Sequence, residues 1–256
     1  MSEELEDSRA PLLDHLVELR RRLLYSLIAF ALCFVICLVF AEDIFGFLVQ
    51  PLVRAGQKKI YFTALFEAFF VQVKVALFAG GMLAFPVISN QLWQFVAPGL
   101  YRKEKRALLP FLLMTPVLFT MGAAMAYFVA IPAALHFLLS YQRPIGGILQ
   151  EALPAVGNYL SLIMQFLFAF GIAFLMPVLL MLLERAGIVT RKQLAGARRY
   201  AIIGCFGIAL VLAPPDAGSM IILAVPLCLL YEAALIAIWI TERRRGRIAG
   251  AVVQAE

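Results

Sequence analysis

Charged side chains are scarce in this chain. Only 15% of its 256 residues are Asp, Glu, Lys or Arg, against about 25% in a typical soluble domain. Hydrophobic residues make up 63% and the mean hydropathy is +0.92. That is more apolar surface than one water-facing core can hide, so the bilayer is the natural solvent for the rest. Histidine occurs only as His15 and His136, far apart, and there is no HExxH pattern, Walker lysine motif or nucleophile elbow. An enzyme is not expected, and no cofactor is implied. The four cysteines, Cys33, Cys37, Cys205 and Cys228, all lie inside apolar runs. Cys33 and Cys37 share a helix face, where a disulfide or metal pair is conceivable, but each reads more simply as a small hydrophobe. A secretory signal is also missing. Met1 to Asp7 is acid-rich where a signal has a basic start, so the first apolar segment is expected to be retained as a helix.

What is present is a series of apolar segments, several near the roughly 20 residues that a bilayer requires. They predict an all-α membrane protein with about six transmembrane helices, at residues 23–41, 69–92, 107–132, 159–183, 200–213 and 219–240. Residues 1–10 read as a disordered acidic tail, residues 11–240 as one polytopic membrane domain, and residues 241–256 as a basic tail. From Pro11 the apolar residues Leu12, Leu13, Leu16, Val17, Leu19, Leu23 and Leu24 recur near helical spacing. They predict a short interfacial helix running into the first span. The stretch Ile44–Val53 is amphipathic enough to lie at the interface. The fifth span is short for a full crossing and is separated from the sixth by a tight turn at Pro214-Pro215-Asp216. Prolines 86, 116, 132, 177 and 226 interrupt the spans, and kinked helices build a curved or cupped bundle.

The formal net charge of +6 would suggest a nucleic-acid partner in a soluble protein. Here the placement of the basic residues carries the information, and no nucleic acid is implied. Seventeen of the 22 Lys and Arg lie in the N-terminal segment, around Arg102–Arg106, between Arg185 and Arg199, and after Thr241. The alternate loops hold four: Arg54, Lys58, Lys59 and Arg143. The positive-inside rule then puts both termini in the cytoplasm.

The candidate functional positions are polar groups at membrane depth or at its edge. Glu18 stands in His15-Leu16-Val17-Glu18-Leu19-Arg20-Arg21-Arg22-Leu23. It reads either as half of a helical ion pair with Arg21 or Arg22 or as a carboxylate displayed to a cationic partner. Glu104, alone among Arg102, Lys103, Lys105 and Arg106, invites the same two readings. Lys74, one turn inside the second span, reads as a snorkelling side chain. Asp216 reads as a turn or cap residue. Glu232 and Gln165 lie inside apolar spans, and an ionisable group there is a functional hypothesis by default. A solute transporter using Glu232 or Lys74 as its coupling site is the alternative these positions leave open.

The His15–Leu23 segment resembles the N-terminal motif of the TatC family. So does Gln91-Leu92-Trp93-Gln94-Phe95-Val96-Ala97-Pro98-Gly99-Leu100-Tyr101, followed by Glu104, for that family's first cytoplasmic loop. Pro51-Leu52, Glu67-Ala68-Phe69-Phe70 with Lys74, Ala126-Tyr127-Phe128, and Pro214-Pro215-Asp216 with Ser219 follow in the family's order. The resemblance covers about residues 11–240. It implies a cup-shaped bundle of six helices in the bacterial cytoplasmic membrane, binding the twin-arginine signal peptides of folded precursors. It further implies TatA- and TatB-type single-span partners, transport driven by the proton gradient, and a receptor complex with several copies of the chain. By the same resemblance Glu18 and Glu104 form the signal-binding site, with Arg20 and Phe95 nearby. Pro51, Phe69, Lys74, Tyr127, Leu210, Asp216 and Glu232 take structural or partner-docking positions. The chain departs from the family pattern at Leu175, Ala213 and Met220, where the family commonly carries polar residues, which thins a cluster associated with partner docking.

Overall fold

The structure, a computed structural model, describes residues 2–57, 59–100, 105–142, 153–185, 187–212 and 217–253. The elements are α1 (Ser2–Val39), α2 (Ala41–Arg54), α3 (Glu67–Leu100), α4 (Lys105–Met125), a π-helical turn (Ala126–Ala130) and α5 (Ile131–Leu139). They continue with α6 (Val156–Ala173), α7 (Met176–Arg185), α8 (Arg191–Gly196), α9 (Arg198–Leu212) and α10 (Ala217–Val253). Among the described residues, five segments are long and apolar enough to cross a membrane: His15–Val39, Glu67–Phe95, Leu112–Leu139, Val156–Arg185 and Met220–Arg243. The remaining expected span is α9, whose 15 residues rise about 22 Å at 1.5 Å each, less than a hydrocarbon core of about 30 Å.

Three boundaries differ from the sequence reading. Helix α1 is continuous from Ser2, so the stretch expected as a disordered tail is helical and runs without a break through the span. The third span reaches Leu139 rather than residue 132, because the chain crosses Pro132 by widening one turn. Proline lacks an amide proton and its ring crowds the carbonyl four residues back, and the turn before it is the π-helical one. The fourth span breaks at Phe174-Leu175, just ahead of Pro177, for the same reason. Pro226 is instead absorbed within α10.

The chain divides into two compact units, Met1–Leu48 with Ala64–Pro116, and Val49–Thr63 with Val117–Glu256. In the first, α1 packs along α3. A Cβ at Gly80 would stand 2.8 Å from Phe34 Cα and 2.9 Å from its backbone nitrogen, so only glycine lets the two backbones approach this closely. Around that crossing Cys37, Ala41 and Ala76 are buried against Phe34, Ile44 and Ala79. Cys37 therefore serves as a small apolar side chain, and all four cysteines are free thiols. Leu27, Ile28, Leu32, Val35 and Ile36 on α1 are exposed, as lipid-facing residues are.

In the second unit, α6 packs against the π-helical turn and α10 against α5, α7, α8 and α9. Phe166, Phe170, Leu160 and Ile163 of α6 are fully buried, and a Cβ at Gly122 of α4 would collide with the Phe170 carbonyl group. The start of α6 has no side-chain cap. Instead the Tyr61 carbonyl accepts from the Val156 amide at 2.9 Å, and the Tyr61 amide donates to the Pro154 carbonyl at 3.1 Å. Leu194, Tyr231, Leu235 and Ile238 form the apolar cluster joining α8 to α10.

The crossing at Gly80 yields a paired prediction. Gly80→Ala lowers stability by about 1–3 kcal/mol through overpacking. Gly81→Ala, whose Cβ would meet only the Phe30 ring edge at 3.7 Å, is neutral or mildly stabilising. Thermal unfolding of the two purified variants in the same detergent checks the pair.

Candidate functional site

A polar cluster of the first unit joins the first half of α1 to the last turns of α3. On α1 the spacing of three and four residues puts His15, Glu18 and Arg22 on one face. That face meets the last turns of α3. The Arg22 guanidinium donates from Nη1 to Gln91 Oε1 at 3.0 Å and to Gln94 Oε1, and from Nη2 to Glu18 Oε1 at 3.3 Å. Gln94 Nε2 donates to Asn90 Oδ1 at 3.1 Å, which fixes the direction of the Gln94 amide. The His15 and Phe95 rings stack at 4.3 Å between centroids. One turn away, Trp93 Nε1 donates to the buried Thr115 hydroxyl at 2.9 Å and ties α3 to α4.

Exposure differs within this cluster. The Arg22 side chain is 19% exposed and that of Glu18 is 31% exposed, so the carboxylate is the more accessible partner. Arg22 Nε is enclosed with no hydrogen-bond acceptor among the described residues. Arg20 is exposed and lies two positions from Glu18, about 200° around the helix, so the partner on the glutamate's face is Arg22. The ion-pair reading of Glu18 is thus present in the structure, with Arg22 rather than Arg21. Phe95 is half-buried and belongs to the cluster through His15. Glu104 and Asp216 lie outside the described residues.

The other predicted positions do not form one site. Pro51 is buried in α2, Phe69 and Lys74 are exposed on the first turns of α3, Tyr127 is buried in the π-helical turn, and Leu210 is exposed on α9. Gln165 is exposed on α6. Glu232 is paired: its carboxylate receives Arg198 Nε at 2.9 Å and Nη2 at 3.0 Å. Beside that pair the Tyr231 hydroxyl donates to the Leu194 carbonyl at 2.7 Å. Arg191 pairs with Glu242 at 3.5 Å, and the Arg243 guanidinium lies 3.9 Å from the Trp239 ring centre. Thr190 and Gln193 close a reciprocal cap on α8. Thr190-Arg191-Lys192-Gln193 is a capping-box signature that could have revealed α8 in advance. The amides Gln91, Gln94 and Asn90 carry no comparable local signal. Among the described residues, no three His, Cys, Asp or Glu are grouped to hold a metal.

Apolar helices of crossing length, with few charged residues within them, define a polytopic helical membrane protein. The profile of the family described as Sec-independent protein translocase protein (TatC) matches residues 14–226. The chain is 46% identical over 231 residues to the TatC of Magnetococcus marinus, covering 90% of this chain and 84% of that protein. To the Aquifex aeolicus TatC it is 39% identical, with 93% and 98% covered, and to the Escherichia coli TatC 37% identical, with 89% and 87% covered. Among solved structures, a crystal structure of the twin-arginine translocase receptor TatC superposes with a TM-score of 0.78 at 38% identity. It covers 87% of this chain and 98% of that one. The chain belongs to the TatC family.

The Arg198–Glu232 pair lies about midway along the Met220–Arg243 segment, where replacing one partner leaves the other charge without its match in a low-dielectric setting. Glu232→Gln is therefore expected to lower the unfolding midpoint by several degrees, as a thermal melt in detergent would read.

Proposed function

We propose that this chain is the receptor and core subunit of a twin-arginine translocase. It binds the twin-arginine signal peptides of folded precursors and works with TatA- and TatB-type single-span subunits in export driven by the proton gradient. The observation that carries this reading is Glu18, a partly exposed carboxylate in the arginine-rich His15–Leu23 stretch of α1, paired through Oε1 alone among the described residues. A carboxylate offers a planar guanidinium two parallel hydrogen bonds, which an ammonium cannot reproduce. Glu104, which follows the α3 motif, supplies the second carboxylate, and Phe95 with His15 supplies an aromatic flank. The family relationship and the solved receptor of similar fold support the same reading.

The excess of Lys and Arg in alternate segments supports placing both termini in the cytoplasm and the protein in the bacterial cytoplasmic membrane. The apolar stretch of a bound signal then inserts along the helices behind the carboxylates. Several copies of the chain assemble in one receptor complex. Leu175, Ala213 and Met220 leave fewer polar contacts for the single-span partners, so docking leans more on apolar packing here than in relatives with polar groups at those positions. The solute-transporter reading loses its main support, because Glu232 is an ordinary bidentate partner of Arg198.

Site-specific photocrosslinking in membranes tests the proposal by comparing a precursor carrying Arg-Arg with its Lys-Lys variant. Crosslinks near Glu18 and Glu104 that appear only with Arg-Arg are expected. Equal labelling by the two signals, or none, would remove the receptor reading. In the same assay Glu104→Gln or Glu18→Gln weakens signal binding about tenfold or more, the scale of one lost charged hydrogen bond.

A further inference from the structure

Within the structure, a guanidinium already stands against Glu18. Its contacts are unequal. Arg22 reaches Glu18 through one nitrogen at 3.3 Å, long for a charge-assisted bond, which is ordinarily about 2.7–2.9 Å. The other terminal nitrogen donates to two amide oxygens of α3, those of Gln91 and Gln94. Asn90 holds the Gln94 amide from behind, so its oxygen faces Arg22. The arginine is thus anchored on α3 and only touches the carboxylate. Glu18 Oε2 has no partner among the described residues.

We infer that Arg22 is a place-holding guanidinium that sets the threshold a signal peptide must exceed to engage Glu18. This rests on the receptor reading above and adds the residue that regulates its selectivity. In the resting state Arg22 half-neutralises the carboxylate, so a lone ammonium finds little net field and gains little by binding. A planar guanidinium that takes both carboxylate oxygens makes two parallel bonds where Arg22 makes one long one. Glu18 then turns to the ligand. Arg22 stays behind on Gln91 and Gln94, so releasing the carboxylate does not strand a half-buried cation without acceptors. The two glutamines are as much a part of the device as the arginine, because they keep the exchange from being uphill.

The test measures binding of fluorescent Arg-Arg and Lys-Lys signal peptides to the full chain in lipid nanodiscs, with melting temperatures of every variant alongside. The parent protein must prefer Arg-Arg. If it does not, the receptor reading itself fails and the inference falls with it. Given that preference, Arg22→Gln tightens Arg-Arg binding by about two- to fivefold, the scale of one partly exposed ion pair, and tightens Lys-Lys binding more. The double variant Gln91→Leu with Gln94→Leu leaves Arg22 to Glu18 alone and weakens Arg-Arg binding by a similar factor. Opposite signs for the two changes support the inference. Weaker Arg-Arg binding by an Arg22→Gln protein of unchanged melting temperature would overturn it and make Arg22 a positioning residue. No change in either variant would also overturn it. Should Arg22→Gln fail to fold, the glutamine double variant decides alone: weakening supports the place-holder, and unchanged or tighter binding refutes it.

Discussion

Hydrocarbon offers a backbone amide no hydrogen-bond partner, and most features of this protein answer that constraint. Each unsatisfied group would cost several kcal/mol, so the described chain at membrane depth is helical almost without interruption. The exceptions have one side packed in protein. Ala126, Tyr127 and Ala130 of the π-helical turn are buried while Phe128 and Val129 face outward, and Phe174 and Val178 are buried beside the break in the fourth span. Irregular backbone is tolerated at that depth where other helices, rather than lipid, surround it. Where the chain leaves the apolar region, polar partners return, as at Tyr61, whose carbonyl accepts from the first amide of α6.

Lipid tails are as apolar as leucine, so the helices gain little from hiding leucine from them and associate instead by close packing. Gly80 brings the α1 and α3 backbones together, and Gly122 does the same for α4 against α6. The broad apolar faces left over, such as Leu27, Leu32 and Val35 of α1, meet solvent in isolation and acyl chains in a bilayer. This division of labour leaves the helix ends to carry the chemistry.

Two ion pairs show how setting changes meaning. Arg198 and Glu232 bond through two contacts, and the pair ties the start of α9 to the middle of α10. Arg22 and Glu18 bond through one long contact in a more enclosed setting, with the arginine committed to amides of another helix. The first carboxylate is used up by its partner. The second keeps one oxygen without a partner among the described residues.

Hydropathy and charge placement, read along the chain, determined that this is a helical membrane protein with several segments apolar enough to cross, and which residues carry the family resemblance. Those signals are local, since each residue contributes its own transfer free energy whatever it touches. The helical spacing of His15, Glu18 and Arg22 on one face was legible for the same reason, and the choice between Arg21 and Arg22 follows once that face has a neighbour. The rest was decided by tertiary structure. Arg22 meets Gln91 and Gln94 across 69 and 72 residues of chain, and Glu232 meets Arg198 across 34. No periodicity encodes such meetings, because they depend on which faces of two helices close against each other, and at Gly80 that closure rests on the absence of a single Cβ.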